Sequence, residues 1–145
     1  MSAANNKISI LFLCTGNSCR SQMAEGWARH LHPEIIEPYS AGVERHGLNP
    51  SAVRVMAEVG VDISGHRSKL VEELPGITFD YVITLCGHAH ETCPYFPGKI
   101  IPHGFPDPPQ LAKNATTEKE SLQAYRTVRD QIRQYIETLP QSLLH

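Results

Sequence analysis

The stretch Lys7-Ile-Ser-Ile-Leu-Phe-Leu-Cys14 runs directly into Thr15-Gly-Asn-Ser-Cys-Arg20 and then into Ser21-Gln-Met-Ala-Glu-Gly-Trp27-Ala-Arg-His-Leu31. Its first block is a nearly continuous apolar run of strand length, the pattern of a strand buried on both faces. The Gly-Asn-Ser segment marks a tight turn. From Ser18 to Leu31 the large apolar residues Met23, Trp27 and Leu31 recur every fourth position, which places them on one face of a helix. A doubly buried strand that turns at once into a helix is the start of a β-α-β unit and points to an α/β fold.

The remaining chain repeats that logic. Glu34 to Val43 reads as a second strand. A helix follows with Asn49 as its cap, Pro50 in its first turn, Ala52, Met56 and Val59 facing inward and Gly60 as its terminator. Phe79 to Leu85 reads as a third buried strand and Lys99 to His103 as a short fourth. Six of the eleven prolines fall between Pro94 and Pro109, predicting a stiff, non-helical connection. A capping box at Thr117 and Glu120 opens a final helix, with Leu122, Tyr125, Val128, Ile132 and Ile136 inward, running to about Leu139. The expected architecture is a single domain over residues 1–145, with a four-stranded parallel sheet in the order 2-1-3-4 and helices on both faces.

Composition agrees with an ordinary globular chain: 145 residues, 41% hydrophobic, 19% charged, formal net charge −2. No basic tract exists to meet a nucleic acid. The run Ile8 to Leu13 is too short to span a membrane and lacks the features of a secretory signal, and the bulky Leu13 argues against lipoprotein cleavage at Cys14. A cytoplasmic, monomeric protein with no nucleic-acid or membrane partner is expected. In a reducing compartment four cysteines are poor candidates for structural disulfides and call for explanation by chemistry or burial.

In the order 2-1-3-4 the ligand crevice lies beyond the carboxyl ends of strands 1 and 3, where Cys14 and Cys86 stand. A strand-to-helix loop also gathers inward N–H groups at the positive end of a helix, a cradle for a tetrahedral oxyanion. The oxyanion-binding residues are thus Thr15, Gly16, Asn17, Ser18, Cys19 and Arg20. Gly16 permits the tight turn, Arg20 binds two oxygens through its planar fork, and Ser21 donates a hydrogen bond to Cys14. The same field favours Cys14 as a thiolate nucleophile.

The segment Cys14-Thr-Gly-Asn-Ser-Cys-Arg-Ser-Gln-Met-Ala-Glu-Gly-Trp27 resembles the low-molecular-weight protein tyrosine phosphatase fold family, specifically its thioredoxin-coupled arsenate reductases. The likeness extends through Tyr39-Ser-Ala-Gly42, His46-Gly-Leu-Asn-Pro50, Val82-Ile-Thr-Leu-Cys86, Cys93-Pro94 and Gly104-Phe-Pro-Asp-Pro108. It implies reduction of arsenate to arsenite through a relay of redox-active disulfides. Cys14 attacks arsenic, Cys86 attacks Cys14 and releases arsenite, and Cys93 carries the disulfide to the surface, where thioredoxin reduces it. Asp107 matches the family's general acid. No cofactor is called for.

A phosphatase of the same family needs Cys14, Arg20 and Asp107 but neither Cys86 nor Cys93. Pro108 and Pro109 stand where an aromatic residue grips phosphotyrosine, so phosphatase action is expected only as a weak side activity. Cys86, His88, His90, Cys93 and His103 also compose a zinc alternative, disfavoured because most of these ligands crowd one segment. An oxyanion or metal sensor without turnover is a third reading. The resemblance further matches Asn17, Glu25 and Ser40 to a potassium site of some relatives. Arg67 and Lys69 depart from that pattern, and a bound metal is not expected. Cys19 has no assigned redox role.

Overall fold

The computed structural model describes residues 7–74, 78–85 and 99–143. Four parallel strands, β1 (Ile8–Cys14), β2 (Ile36–Gly42), β3 (Tyr81–Thr84) and β4 (Lys99–Pro102), form one sheet in the order β2-β1-β3-β4. The helices are α1 (Arg20–Leu31), α2 (Pro50–Ala57), the short α3 (Pro108–Leu111) and α4 (Glu118–Glu137), with 3-10 turns at Val71–Glu73, Ala112–Asn114 and Gln141–Leu143. The strand order and parallel sense are those expected from the sequence.

Alternation along β1 divides the core, since successive side chains of a strand point to opposite faces. Ile10, Phe12 and Cys14 join Met23, Trp27, Met56, Val128 and Ile132 in one apolar cluster, while Leu11 and Leu13 join Ala41, Phe79 and Val82 in a second. Every residue from Ile10 to Cys14 is buried, because β1 is central and covered on both sides. Trp27 is seated by its indole N–H, which donates to Arg129 O at 3.1 Å, and by the Arg133 guanidinium 5.0 Å from its ring centroid. Among the described residues no helix is long and apolar enough to cross a membrane.

Local bonding moves several boundaries. Helix α1 begins at Arg20 and not at Ser18, because Asn17 is left-handed (φ 48°) and Cys19 lies outside the helical region (φ −130°, ψ −76°). β2 stops at Gly42, since the N–H groups of Val43 and Glu44 leave the sheet for Thr15 O. Asn49 caps α2 as expected, accepting from Ser51 N (2.8 Å) and Ala52 N (3.2 Å). That helix ends at Ala57, and Val59 follows it half-buried in a turn closed by Gly60 (φ 82°). β3 and β4 are shorter than expected: Phe79, Leu85 and His103 flank them outside the strands.

Two further expectations are corrected. The proline-rich stretch is not wholly non-helical, for Pro108 and Pro109 open α3, where their missing N–H groups have no intrahelical partner to lose. The capping box of α4 is half formed. Thr117 accepts from Glu120 N (3.1 Å), but the Glu120 carboxylate returns to Thr116 N (2.9 Å), one residue too early.

Candidate active site

Cys14 ends β1, buried at the carboxyl edge of the sheet, and Thr15 to Cys19 loop from it into α1. The loop is held from outside by its carbonyls. Thr15 O accepts from Val43 N (3.0 Å) and Glu44 N (2.9 Å), and Gly16 O from His46 N (3.1 Å) and the Ser68 hydroxyl (2.8 Å). Asn17 O accepts from Gln22 Nε2 (3.1 Å) and Ser18 O from Asn49 N (3.0 Å). In a planar trans peptide the N–H points opposite to the C=O, so outward-bonded carbonyls turn the N–H edges of the same peptides toward the inside of the loop. Helix α1 adds the open N–H groups of its first turn, for its N-terminus has no side-chain cap.

Beneath the loop, Asn17 connects three elements from a completely buried position. Its Nδ2 donates to Ser21 Oγ at 2.8 Å, and its Oδ1 accepts from Gln22 Nε2 (3.0 Å) and Lys69 N (2.7 Å). The left-handed backbone at 17 is one that Asn tolerates better than most residues. Because Ser21 Oγ already accepts from Asn17, its own hydrogen is available to Cys14 Sγ, 2.9 Å away. Gly42 lets the loop approach β2: a Cβ there would lie 2.7 Å from Asn17 N and 2.7 Å from Thr15 O.

The loop opens into a cavity of about 490 Å³ lined by Cys14, Thr15, Gly16, Ser18, Cys19, Arg20, His46, Asp107 and Pro109. Arg20 donates to Phe105 O at 3.0 Å and lies 3.5 Å from Asp107 Oδ1. The cavity thus joins a buried thiol, inward amides, one guanidinium and one carboxylate, groups suited to nucleophilic attack on a tetrahedral oxyanion with a proton donor at hand. Cys19 lies buried in the same loop. Burial pushes its thiol far above the ordinary range, negative charge at Cys14 and Asp107 adds to this, and Arg20 opposes it. Cys19 therefore stays protonated and contributes its backbone.

The structure brings Cys14, the 15–19 loop, Arg20, Ser21 and Asp107 together. Cys86 and Cys93, with His88 and His90, lie outside the described residues. Leu85, immediately before Cys86, donates its N–H to Leu13 O at 2.8 Å, immediately before Cys14. His103 packs against Tyr135, tilted with ring centroids 3.8 Å apart, and stacks on Phe105 at 4.9 Å.

The potassium set does not fit an ion here. Asn17 Oδ1 already accepts two hydrogen bonds, and Glu25 is engaged by Arg29 (2.8 Å) and the Ser40 hydroxyl (2.5 Å). Lys69 supplies a fixed positive charge, half-buried, with Nζ donating to Arg67 O at 3.1 Å. Burial lowers the Lys69 pKa while Glu25 pulls it up.

Sequence reading missed the outer support. Gln22, completely buried, donates to Asn17 and Arg67 O and accepts from His66 Nδ1 (3.0 Å), while Ser68 and His46 hold Gly16. A polar Gln on the buried side of an amphipathic helix was the available signal.

Residues 9–145 match the family described as low molecular weight phosphotyrosine protein phosphatase. The chain is 45% identical over 139 residues to an arsenate reductase of Halalkalibacterium halodurans, covering 94% of this chain and 98% of that one. It is 49% identical over 129 residues to an arsenate reductase of Bacillus subtilis, covering 88% and 90%. A solved structure described as an arsenate reductase in the phosphate-binding state superposes with a TM-score of 0.76 at 36% identity, covering 91% of this chain and 95% of that one.

Proposed function

The chain belongs to the low molecular weight phosphotyrosine protein phosphatase family, within which it aligns with arsenate reductases, and on that premise we propose that it reduces arsenate to arsenite with thioredoxin as electron donor. Cys14, as thiolate, attacks arsenic held by the loop amides and Arg20. An As–O bond breaks, and Asp107 supplies a proton so that the oxygen leaves as water. Cys86 then attacks Cys14 Sγ. The S–S bond forms as the S–As bond breaks, and its electron pair stays on arsenic, reducing As(V) to As(III) while two thiols become one disulfide. Cys93 attacks Cys86 and frees Cys14, and the dithiol of thioredoxin reduces the Cys86–Cys93 disulfide.

The observation that carries this reading is the Leu85 to Leu13 hydrogen bond, which joins the residues just before Cys86 and Cys14 at the edge of two paired strands. A phosphatase would have no use for a cysteine directly after Leu85 in the chain. The test is a coupled assay with thioredoxin, its reductase and NADPH. Arsenate-dependent NADPH loss is expected, and its absence refutes the proposal. A Cys93→Ser variant should turn over about once and stall with Cys14 joined to Cys86, visible by mass spectrometry after thiol trapping. Sustained thioredoxin-dependent turnover by that variant refutes the order of the relay.

The phosphatase reading retains one supporting observation, the shared cavity of Cys14, Arg20 and Asp107. Efficient turnover of a phosphotyrosine peptide, unaffected by Cys86→Ser and Cys93→Ser, would establish it in place of the reductase.

A further inference from the structure

We infer that His46, oriented by Glu44, is an additional positioning and specificity-determining residue for the oxyanion in the Cys14 cavity. The inference rests on the oxyanion reading above and adds to it a contact from outside the loop. The His46 ring fills the space left by the side chain that Gly16 lacks. A Cβ at position 16 would fall 2.2 Å from His46 Nδ1 and 2.5 Å from its Cγ, so the Nδ1 edge lies over the loop. The backbone fixes this placement, because His46 N donates to Gly16 O at 3.1 Å.

The opposite edge of the ring fixes the hydrogen. Nε2 lies 2.6 Å from Glu44 Oε1, and a carboxylate only accepts, so Nε2 is the nitrogen that carries a proton and donates. Nδ1 is then the ring nitrogen that Glu44 leaves over, on a residue that lines the cavity, and no hydrogen bond to it is seen among the described residues. A neutral ring accepts there from a protonated oxygen of the bound anion, whereas a charged ring donates to a bare oxygen. Arsenate and phosphate near neutral pH carry both kinds of oxygen, so either ring state finds a match. The ring and Pro109 line the same cavity, so removing the ring opens space there for the organic group of an ester.

The test measures binding of inorganic phosphate to the reduced full-length chain by calorimetry, beside arsenate turnover and hydrolysis of p-nitrophenyl phosphate. His46→Ala should weaken phosphate about tenfold or more, the range for one hydrogen bond to a charged group. The arsenate effect should fall on KM more than on kcat, and His46→Gln, which keeps a polar end, should recover part of it. Activity of His46→Ala toward p-nitrophenyl phosphate relative to arsenate should rise. Phosphate affinity within about twofold of the parent in folded His46→Ala overturns the inference. If His46→Ala does not fold, Glu44→Gln decides: severalfold weaker phosphate binding supports the pair, and unchanged affinity overturns it. Absence of phosphate binding by the parent chain itself refutes the oxyanion site, and this inference with it.

Discussion

Replacing Asn17 tests the loop at its mechanical centre, because that buried side chain makes three hydrogen bonds from a left-handed backbone. In Asn17→Ala, Gln22 Nε2 retains Arg67 O as an acceptor, whereas Lys69 N loses the bond it makes to Asn17 Oδ1. A net loss of about 1 kcal/mol per bond, with one amide left wanting, sums to roughly 2–4 kcal/mol. The left-handed angle adds about 1 kcal/mol for Ala. The expected total is about 3–5 kcal/mol. Asn17→Gly loses the same bonds but not the backbone penalty, offset by about 0.5–1 kcal/mol of unfolded-chain entropy, so it should equal or slightly exceed Ala in stability. Urea unfolding of the reduced proteins, followed by Trp27 fluorescence at constant pH, separates the three. A loss below about 1 kcal/mol in Asn17→Ala, or a Gly variant more than about 1 kcal/mol less stable than Ala, would refute the account of this loop.

Four further outcomes are expected. Gly42→Ala should destabilise by about 1–3 kcal/mol and depress turnover, since its Cβ meets the backbone at Asn17 N and Thr15 O, and a crystal structure should show the loop displaced. Ser21→Ala removes the hydroxyl 2.9 Å from Cys14 Sγ and should slow both arsenate turnover and iodoacetamide alkylation of Cys14 at neutral pH. Asp107→Asn removes a negative charge 3.5 Å from Arg20, so calorimetry should find phosphate bound a few-fold more tightly while arsenate turnover falls. The Arg126 and Arg129 guanidiniums beside Glu58 hold its carboxyl down at about 2 in the folded chain. A carboxyl lowered on folding contributes stability above its unfolded value of 4.5 and loses it as pH falls toward 2, so Glu58→Gln should flatten the acid limb of a stability profile over that window.

The loop from Cys14 to Arg20 was legible because a short-range rule governs it. A doubly buried strand, a turn with Gly16 and Asn17, and an amphipathic helix impose an oxyanion cradle on any chain that folds them in that order. Boundaries were less legible. Whether Val43 extends β2 depends on Thr15 O, a competing acceptor that no local pattern encodes. Glu120 likewise returned to Thr116 because two adjacent hydroxyl residues offered nearly equivalent partners.

The sequence alone determined the parallel sheet and the seat of Cys14 at the head of the strand-to-helix loop, which follow from hydrophobic period and turn chemistry, whereas the roles proposed for Cys86 and Cys93 rest on the family resemblance. Only the tertiary structure decided which groups aim the loop: the amides of residues 43, 44 and 46, the Ser68 hydroxyl, the buried Gln22, and His46 over Gly16. They belong to segments that pack against the loop from elsewhere in the chain. Hydrogen bonds act over about 3 Å in space and leave no periodic trace in sequence.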